Sequence, residues 1–240
     1  MIEPRALLYQ VMIRPDIQEE TRGLVCIWNA IRRVCRETLI LQQPAKITPT
    51  AEQVGTSWMG ISTVTIPDLD AEAPFQGTGK LRVIRVLGAR LADAAGGDQR
   101  AIRELSWAAM QEYAREAAPS GAEPSFWADS IGVLRLFPAF TAADAGRNTL
   151  LLNLAVQPAE GETHGTMSGI PLPAEAEDAI VAGALAEFYG LPGRGQNLSA
   201  SQAQNRAYLN HIGNLRSLNR VGTSGANHGY ASPFHFNLRG

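Results

Sequence analysis

Apolar residues recur at three- and four-residue steps early in the chain: Leu24, Ile27, Trp28, Ile31, Val34 and Cys35, with Thr38 closing the stripe. That period belongs to a helix and predicts one from about Asp16 or Thr21 to Gln42. Arg22, Arg32, Arg33 and Arg36 fall mostly on its other faces, and Pro44 reads as its stop. Beyond it, runs with frequent β-branched residues predict short strands at Ile47 to Val54, Ile61 to Ile66 and Leu81 to Ala89. PDLDAEAPFQGTGK, between the last two, reads as an exposed loop. Ile102, Leu105, Ala109 and Tyr113 then share one face of a predicted helix from Asp98 to Ala117. Ile131 to Phe137 and Leu150 to Val156 read as a strand pair joined through FPAFTAADAGRNT, where Gly146 and Asn148 suit a turn.

Two more helices are predicted near the carboxyl end. Pro173 suits a first turn, and Glu175, Glu177 and Asp178 put negative charge where the helix dipole favours it. Ile180, Val181, Ala184, Leu185 and Phe188 form the expected buried face, and Gly190 with Pro192 stops the helix. After GLPGRGQNL, Ser199 with Gln202 makes a capping-box pattern, and Ala207, Tyr208, His211, Ile212 and Leu215 supply the next stripe. The remainder, GTSGANHGYASPFHFNLRG, is poor in aliphatic residues but keeps Tyr230, Phe234 and Phe236. The fold class expected is α+β: a helical core of about four helices, a small inserted β region and an extended C-terminal arm. The body spans 1–221, with the β insertion at about 45–157, and the arm spans 222–240.

Charge sharpens this picture. Of the 21 basic and 23 acidic residues, five arginines and no acid fall from Phe188 to Gly240, so the first 187 residues carry −7 and the last 53 carry +5. An acidic body with a basic terminal arm follows, although a solvated helix face would show the same bias. With 45% hydrophobic and 18% charged residues the chain can bury a core, and no run of about 18 apolar residues suggests a membrane span. The amino end does not read as a signal peptide. Cys26 and Cys35 would sit on opposite faces of one helix, and His164, His211, His228 and His235 have no metal-ligand spacing. A reduced, metal-free, cytosolic protein without a cofactor is expected.

Catalytic signatures fail one by one. Gly193-x-Gly195 lacks the third glycine and the Lys-Ser/Thr pair of a phosphate loop. Ser224 has no Gly-x-Ser-x-Gly context, and His228 and His235 beside it lie in the tail, where reacting groups are hard to hold. Trp28, Trp58, Trp107 and Trp127 fall in separate segments without interleaved cations, which favours packing over base stacking.

Three segments carry a resemblance. VCRETLIL, Val34 to Leu41, closes the amphipathic opening helix. RVLGARLAD, then a helix, then PSFWADSIGVLRLFPAF runs from Arg85 to Phe140. AEDAIVAGALAEFYGLPG, Ala176 to Gly193, is an Ala/Gly-rich helix ending in an aromatic pair and a Pro-Gly stop, followed by a polar loop and a second helix. Over roughly residues 20 to 220 this order resembles the head–tail adaptor (connector or head-completion) family of tailed bacteriophages.

The resemblance implies a non-enzymatic virion protein at the head–tail interface, assembled in the host cytoplasm. It implies a homo-oligomeric ring of about twelve copies between the portal protein and a tail or nozzle protein. DNA would pass through the lumen without sequence-specific binding, and the −7 charge of the body leads to the expectation that the walls it meets are mainly acidic or neutral. The carboxyl-terminal segment would dock on the portal. Arg206, Arg216, Arg220 and Arg239 would meet carboxylates there, and Tyr230, Phe234 and Phe236 would act as anchors. The alternative is a DNA-binding virion or packaging module that uses the basic terminal helix and arm on phosphates.

Overall fold

The computed structural model describes residues 1–12, 17–50, 60–71, 75–93, 99–115, 123–130, 132–141, 147–163, 165–192 and 196–226, with side chains at all of these except 17–19, 130 and 220–226. The chain divides into two compact units. One comprises Met1–Leu41, Ala71–Gly79 and Pro158–Gly240, and the other Gln42–Asp70 and Lys80–Gln157.

The first unit is helical. Its elements are α1 (Leu8–Val11), α2 (Ile17–Thr38), α4 (Ala176–Gly190) and α5 (Leu198–Ala226), beside a two-stranded sheet of β4 (Gln76–Gly77) and β10 (Met167–Gly169). Helix α2 buries Ile27, Trp28, Ile31, Val34, Cys35 and Thr38, the stripe its period marks out. It ends six residues before Pro44, because Leu39 turns left-handed (φ 54°) and its N–H closes on the carbonyl of Cys35 at 2.9 Å. Helix α4 lies against both α2 and α5 and is buried nearly all round. Its innermost positions are the small ones, Ala176, Ala179, Ala182, Gly183, Ala184 and Ala186, beside Ile180 and Phe188, whereas Val181 and Leu185 are half-buried. Arg22 reaches Phe188 and Ala30 meets Gly183, so α2 and α4 are antiparallel. Helix α5 returns parallel to α2, with Arg33 over Tyr208, Arg216 at Glu37 and Asn219 at Thr38.

The second unit corrects the expected fold class. In place of a small β insertion in a helical core, an eight-stranded mixed sheet curves into a half-barrel. Its order is β1 (Gln42–Ile47), β9 (Asn148–Pro158), β5 (Lys80–Asp93), β6 (Gln99–Glu104), β7 (Phe126–Ser130), β8 (Val133–Phe137) and β2 (Ser62–Thr65), with β3 (Leu69–Asp70) also paired to β5. Three local readings account for the difference. The segment Gln99–Glu104, expected as the start of a helix, is strand β6, antiparallel to β5 (Lys80–Asp93), and only Trp107–Arg115 is helical, as α3. Ile102 and Leu105 satisfy a helical step of three, but an open ladder on β5 gives the backbone of 99–104 partners that a helix start leaves unmade. Pro44, read as a helix stop, lies inside β1 (Gln42–Ile47), an edge strand where a missing N–H is tolerated. Strand β7 (Phe126–Ser130) lies where the sequence predicts no element, and it pairs in parallel with β6 and antiparallel with β8 (Val133–Phe137).

Strand β2 (Ser62–Thr65) falls inside the expected Ile61 to Ile66, and β9 (Asn148–Pro158) extends the expected Leu150 to Val156 at both ends. The strand expected at Ile47 to Val54 is described only to Thr50, and Ile47 is the last residue of β1. Helix α3 covers the β7–β8 face of the sheet, where Met110 and Ala114 pack with Ile61, Ala128 and Phe137. Trp127 is buried, and its Nε1–H donates to the carbonyl of Ile102 at 3.1 Å across the parallel pair.

Candidate functional site

The helical unit carries most of the residues expected to act, so its helix ends come first. The last carbonyls of a helix have no partner within it and attract positive charge. Here they are met by side chains from neighbouring helices. Arg22 donates to the carbonyl of Phe188 (3.4 Å), with its guanidinium 5.1 Å from that residue's ring centroid. The Ser201 hydroxyl donates to the carbonyl of Ala186 (2.6 Å), and that of Tyr189 is met instead by the backbone N–H of Asn197 (2.9 Å). At the end of α2, Arg216 Nε donates to the carbonyl of Glu37 (2.8 Å), and Asn219 Nδ2 donates to that of Thr38 (2.8 Å). Arg216 also lies 3.9 Å from the Glu37 carboxylate. It therefore holds the bundle together, and an incoming partner would have to compete with Glu37 for it.

Arg206 stands differently. It is exposed on α5, and no ion pair involving it is present among the described residues. Leu198, Gln202, Arg206, Leu209 and Gly213 recur at three- and four-residue steps on one outward flank of α5. Leu198 is 61% and Leu209 51% exposed, and a side chain at Gly213 would meet open space. Arg220 belongs to α5, but its side chain lies outside the described residues. Tyr230, Phe234, Phe236 and Arg239 also lie outside them. Helix α5 continues through Ala226 and so takes in residues 222–226, the first part of the expected arm. Its amino end is capped by Asn197 and not by the Ser199 pattern: Asn197 Oδ1 accepts from the Ala200 amide at 3.0 Å.

Between α2 and α5 runs a groove of about 350 Å³ floored by Ala30, Gly183 and Ala186, with Arg33, Glu187, Gln202 and Asn205 along its rims. A second hollow shares Arg33 and Glu187 with it and continues past Arg32, Arg36 and Glu160. Arg33 is drawn over the Tyr208 ring (4.2 Å) and onto the Glu37 carboxylate (2.8 Å). Arg32 donates to the carbonyls of Ala159 and Glu162, both at 3.1 Å, and burial lowers its pKa. Asn29 donates to Glu187 at 2.6 Å. Burial, reinforced by the Glu37 charge, raises the pKa of Tyr208. These are the signatures of a cross-linked bundle surface, not of a general acid or base facing a substrate.

Cys26 and Cys35 are both buried. Desolvation pushes each thiol up to about 12, helped at Cys26 by the Glu187 charge, so neither is a nucleophile. In the sheet unit, the hollow beside Trp107 is lined by Arg85, Glu104 and Asp129. Those groups are already engaged: Arg85 pairs with Glu104 (2.9 Å), and Asp129 accepts the Val86 amide (2.9 Å). Arg135 lies 3.8 Å over the Trp107 ring. Trp28 and Trp127 are core residues, and Trp58, His164, His228 and His235 lie outside the described residues. Among the described residues no group of three His, Cys, Asp or Glu is placed to hold a metal, and no helix is long and apolar enough to cross a membrane.

One exposed residue escaped the sequence reading. Tyr9 on α1 is 83% exposed, while Leu8 and Val11 beside it are buried. The apolar run around it, ALLYQVM, hides which side chain faces out, because four helical residues are too few to show a period. No protein-family model matches the chain, and no curated protein matches it.

Proposed function

We propose that this chain is a structural subunit of the ring-shaped adaptor that joins head to tail in a tailed bacteriophage. Its work is binding: copies of the chain form the ring, the portal protein lies above, and a tail or nozzle protein lies below. DNA passes through the lumen without sequence-specific contacts. The observation that carries this reading is the acid-free carboxyl-terminal region, whose long helix α5 offers an outward flank with exposed Arg206, Leu198 and Leu209. A basic, partly apolar surface that the described residues leave exposed suits a partner bearing carboxylates and apolar pockets. Engagement of Arg216 within the bundle narrows the docking set to Arg206, Arg220 and the tail residues Tyr230, Phe234, Phe236 and Arg239.

Mass photometry of the purified protein, alone and with its cognate portal ring, tests the reading. The expected result is addition of about twelve copies to one portal, lost on deleting residues 227–240, a truncation that leaves α5 whole. No association with portal, together with duplex DNA binding that weakens steeply with salt, would overturn it in favour of a DNA-binding module.

A further inference from the structure

The face of the sheet that α3 partly covers carries a row of cations. Side chains alternate across a strand, and residues paired across a ladder share a face. Arg90 on β5 is opposite Ala101 on β6, and Arg103 is two residues further along β6, so both arginines stand on that face, and both are exposed. Arg103 pairs with Phe126 on β7, and Ala128, next on the same face, is opposite Arg135 on β8. Arg90, Arg103 and Arg135 therefore span four adjacent strands, about 14 Å at the usual strand spacing. No ion pair involving any of them is present among the described residues. By the same alternation Asp93, Glu104 and Asp129 fall on the opposite face, where Glu104 pairs with Arg85 and Asp129 accepts the Val86 amide. Glu112 of α3 is exposed and stands about half a turn from buried Met110, so it points away from the sheet.

The surface around the row is low. Ala101 is small, and a β-carbon at Gly88, two residues before Arg90 on the same face, would meet open space. At the far end Arg135 is held 3.8 Å over the Trp107 ring, which fixes its guanidinium. Guanidinia spread this widely outreach a single carboxylate or a single phosphate, each of which would meet only one of them. Duplex DNA carries a charge about every 1.7 Å of its axis with both strands counted, so it can meet the whole row at any sequence. The acidic balance of the body is an average, and it does not hold on this face.

We infer that the row Arg90, Arg103 and Arg135 contacts the phosphate backbone of the DNA that passes through the ring. Guanidinium–phosphate contacts read no bases and let DNA slide past them, as a channel requires. This inference rests on the ring reading and adds to it which face of the sheet unit the DNA meets. It sets a basic row where the charge of the whole body leads to mainly acidic or neutral walls.

The test titrates a short labelled duplex with the full chain at several low salt concentrations, read by fluorescence anisotropy. Three phosphate contacts predict a slope of about −2.7 in log K against log salt, equal for AT-rich and GC-rich duplexes. Arg90→Gln and Arg103→Gln, both at exposed positions, should each reduce that slope by about one. Both should leave the urea midpoint and portal association unmoved, and Arg206→Ala should leave the slope alone. No duplex binding at low salt, or a wild-type slope in the Arg90→Gln/Arg103→Gln double variant, would overturn the contact and leave the ring reading standing. Loss of binding on deleting residues 227–240 instead would also overturn it, because the contact would then belong to the tail. Displacement of the duplex by polyglutamate at equal charge would overturn it in favour of an acidic protein partner. Duplex binding that needs these arginines, in a chain that fails to associate with portal, would keep the contact and overturn the adaptor reading.

Discussion

A β-carbon at position 183 would stand 3.0 Å from the Tyr208 ring and 3.3 Å from the β-carbon of Ala30. Glycine there lets α4 approach α5 and α2 closely, so Gly183→Ala should destabilise the protein by about 1–3 kcal/mol through overpacking, read as a lower urea midpoint at unchanged slope. Arg206 and Arg216 of α5 should separate cleanly. Arg216→Ala removes a donor to the end of α2 and should cost about 0.5–1.5 kcal/mol in thermal or urea unfolding. Arg206→Ala removes an exposed side chain with no ion pair among the described residues and should leave the unfolding midpoint unmoved while lowering portal association. The sequence marked both residues as docking cations because composition records charge and not its partners. Only the position of Glu37 opposite Arg216 tells them apart.

Helix ends and helix faces govern the next scale. Asn197→Ala should cost about 1 kcal/mol through loss of the α5 cap, and Ser199→Ala much less, in a side-by-side melt. Helix α2 buries two thiols whose pKa rises from 9.0 to about 12. Below pH 9 both states hold these protons and the thiols contribute nothing to the pH dependence. Between pH 9 and 12 the unfolded chain releases them and the native protein does not. Stability should therefore fall across that window, by up to about 1.4 kcal/mol per pH unit for each thiol. Urea midpoints against pH would show it, and Cys35→Ala should flatten the slope. A thiol reagent should label neither cysteine in the native protein and both in urea. The buried stripe of α2 was legible because its apolar positions repeat over several turns. The segment 99–104 was not: Gln99, Arg100, Ala101, Ile102, Arg103 and Glu104 hold a single buried side chain, Ile102, too little to show either period.

For the whole molecule the main correction is the balance between helix and sheet. Strand β1 pairs with β9, more than a hundred residues away in sequence, and β2 with β8, about seventy away. No short window of sequence contains both partners, so the pairing that makes these segments strands has no local signature. The charge distribution, by contrast, needed no contacts to be read, and it underlies the proposed docking surface.

The sequence by itself determined α2, α4 and α5 and the acid-free carboxyl-terminal region. A helix makes its hydrogen bonds within four residues and writes its buried face into a local period, and charge simply adds along a chain. Only the tertiary structure decided that Gln99–Glu104 is a strand, that Pro44 lies on a sheet edge, that Arg216 caps α2 and that Tyr9 faces out. Each of those depends on a group brought near by the fold, and adjacency in space has no local signature in sequence.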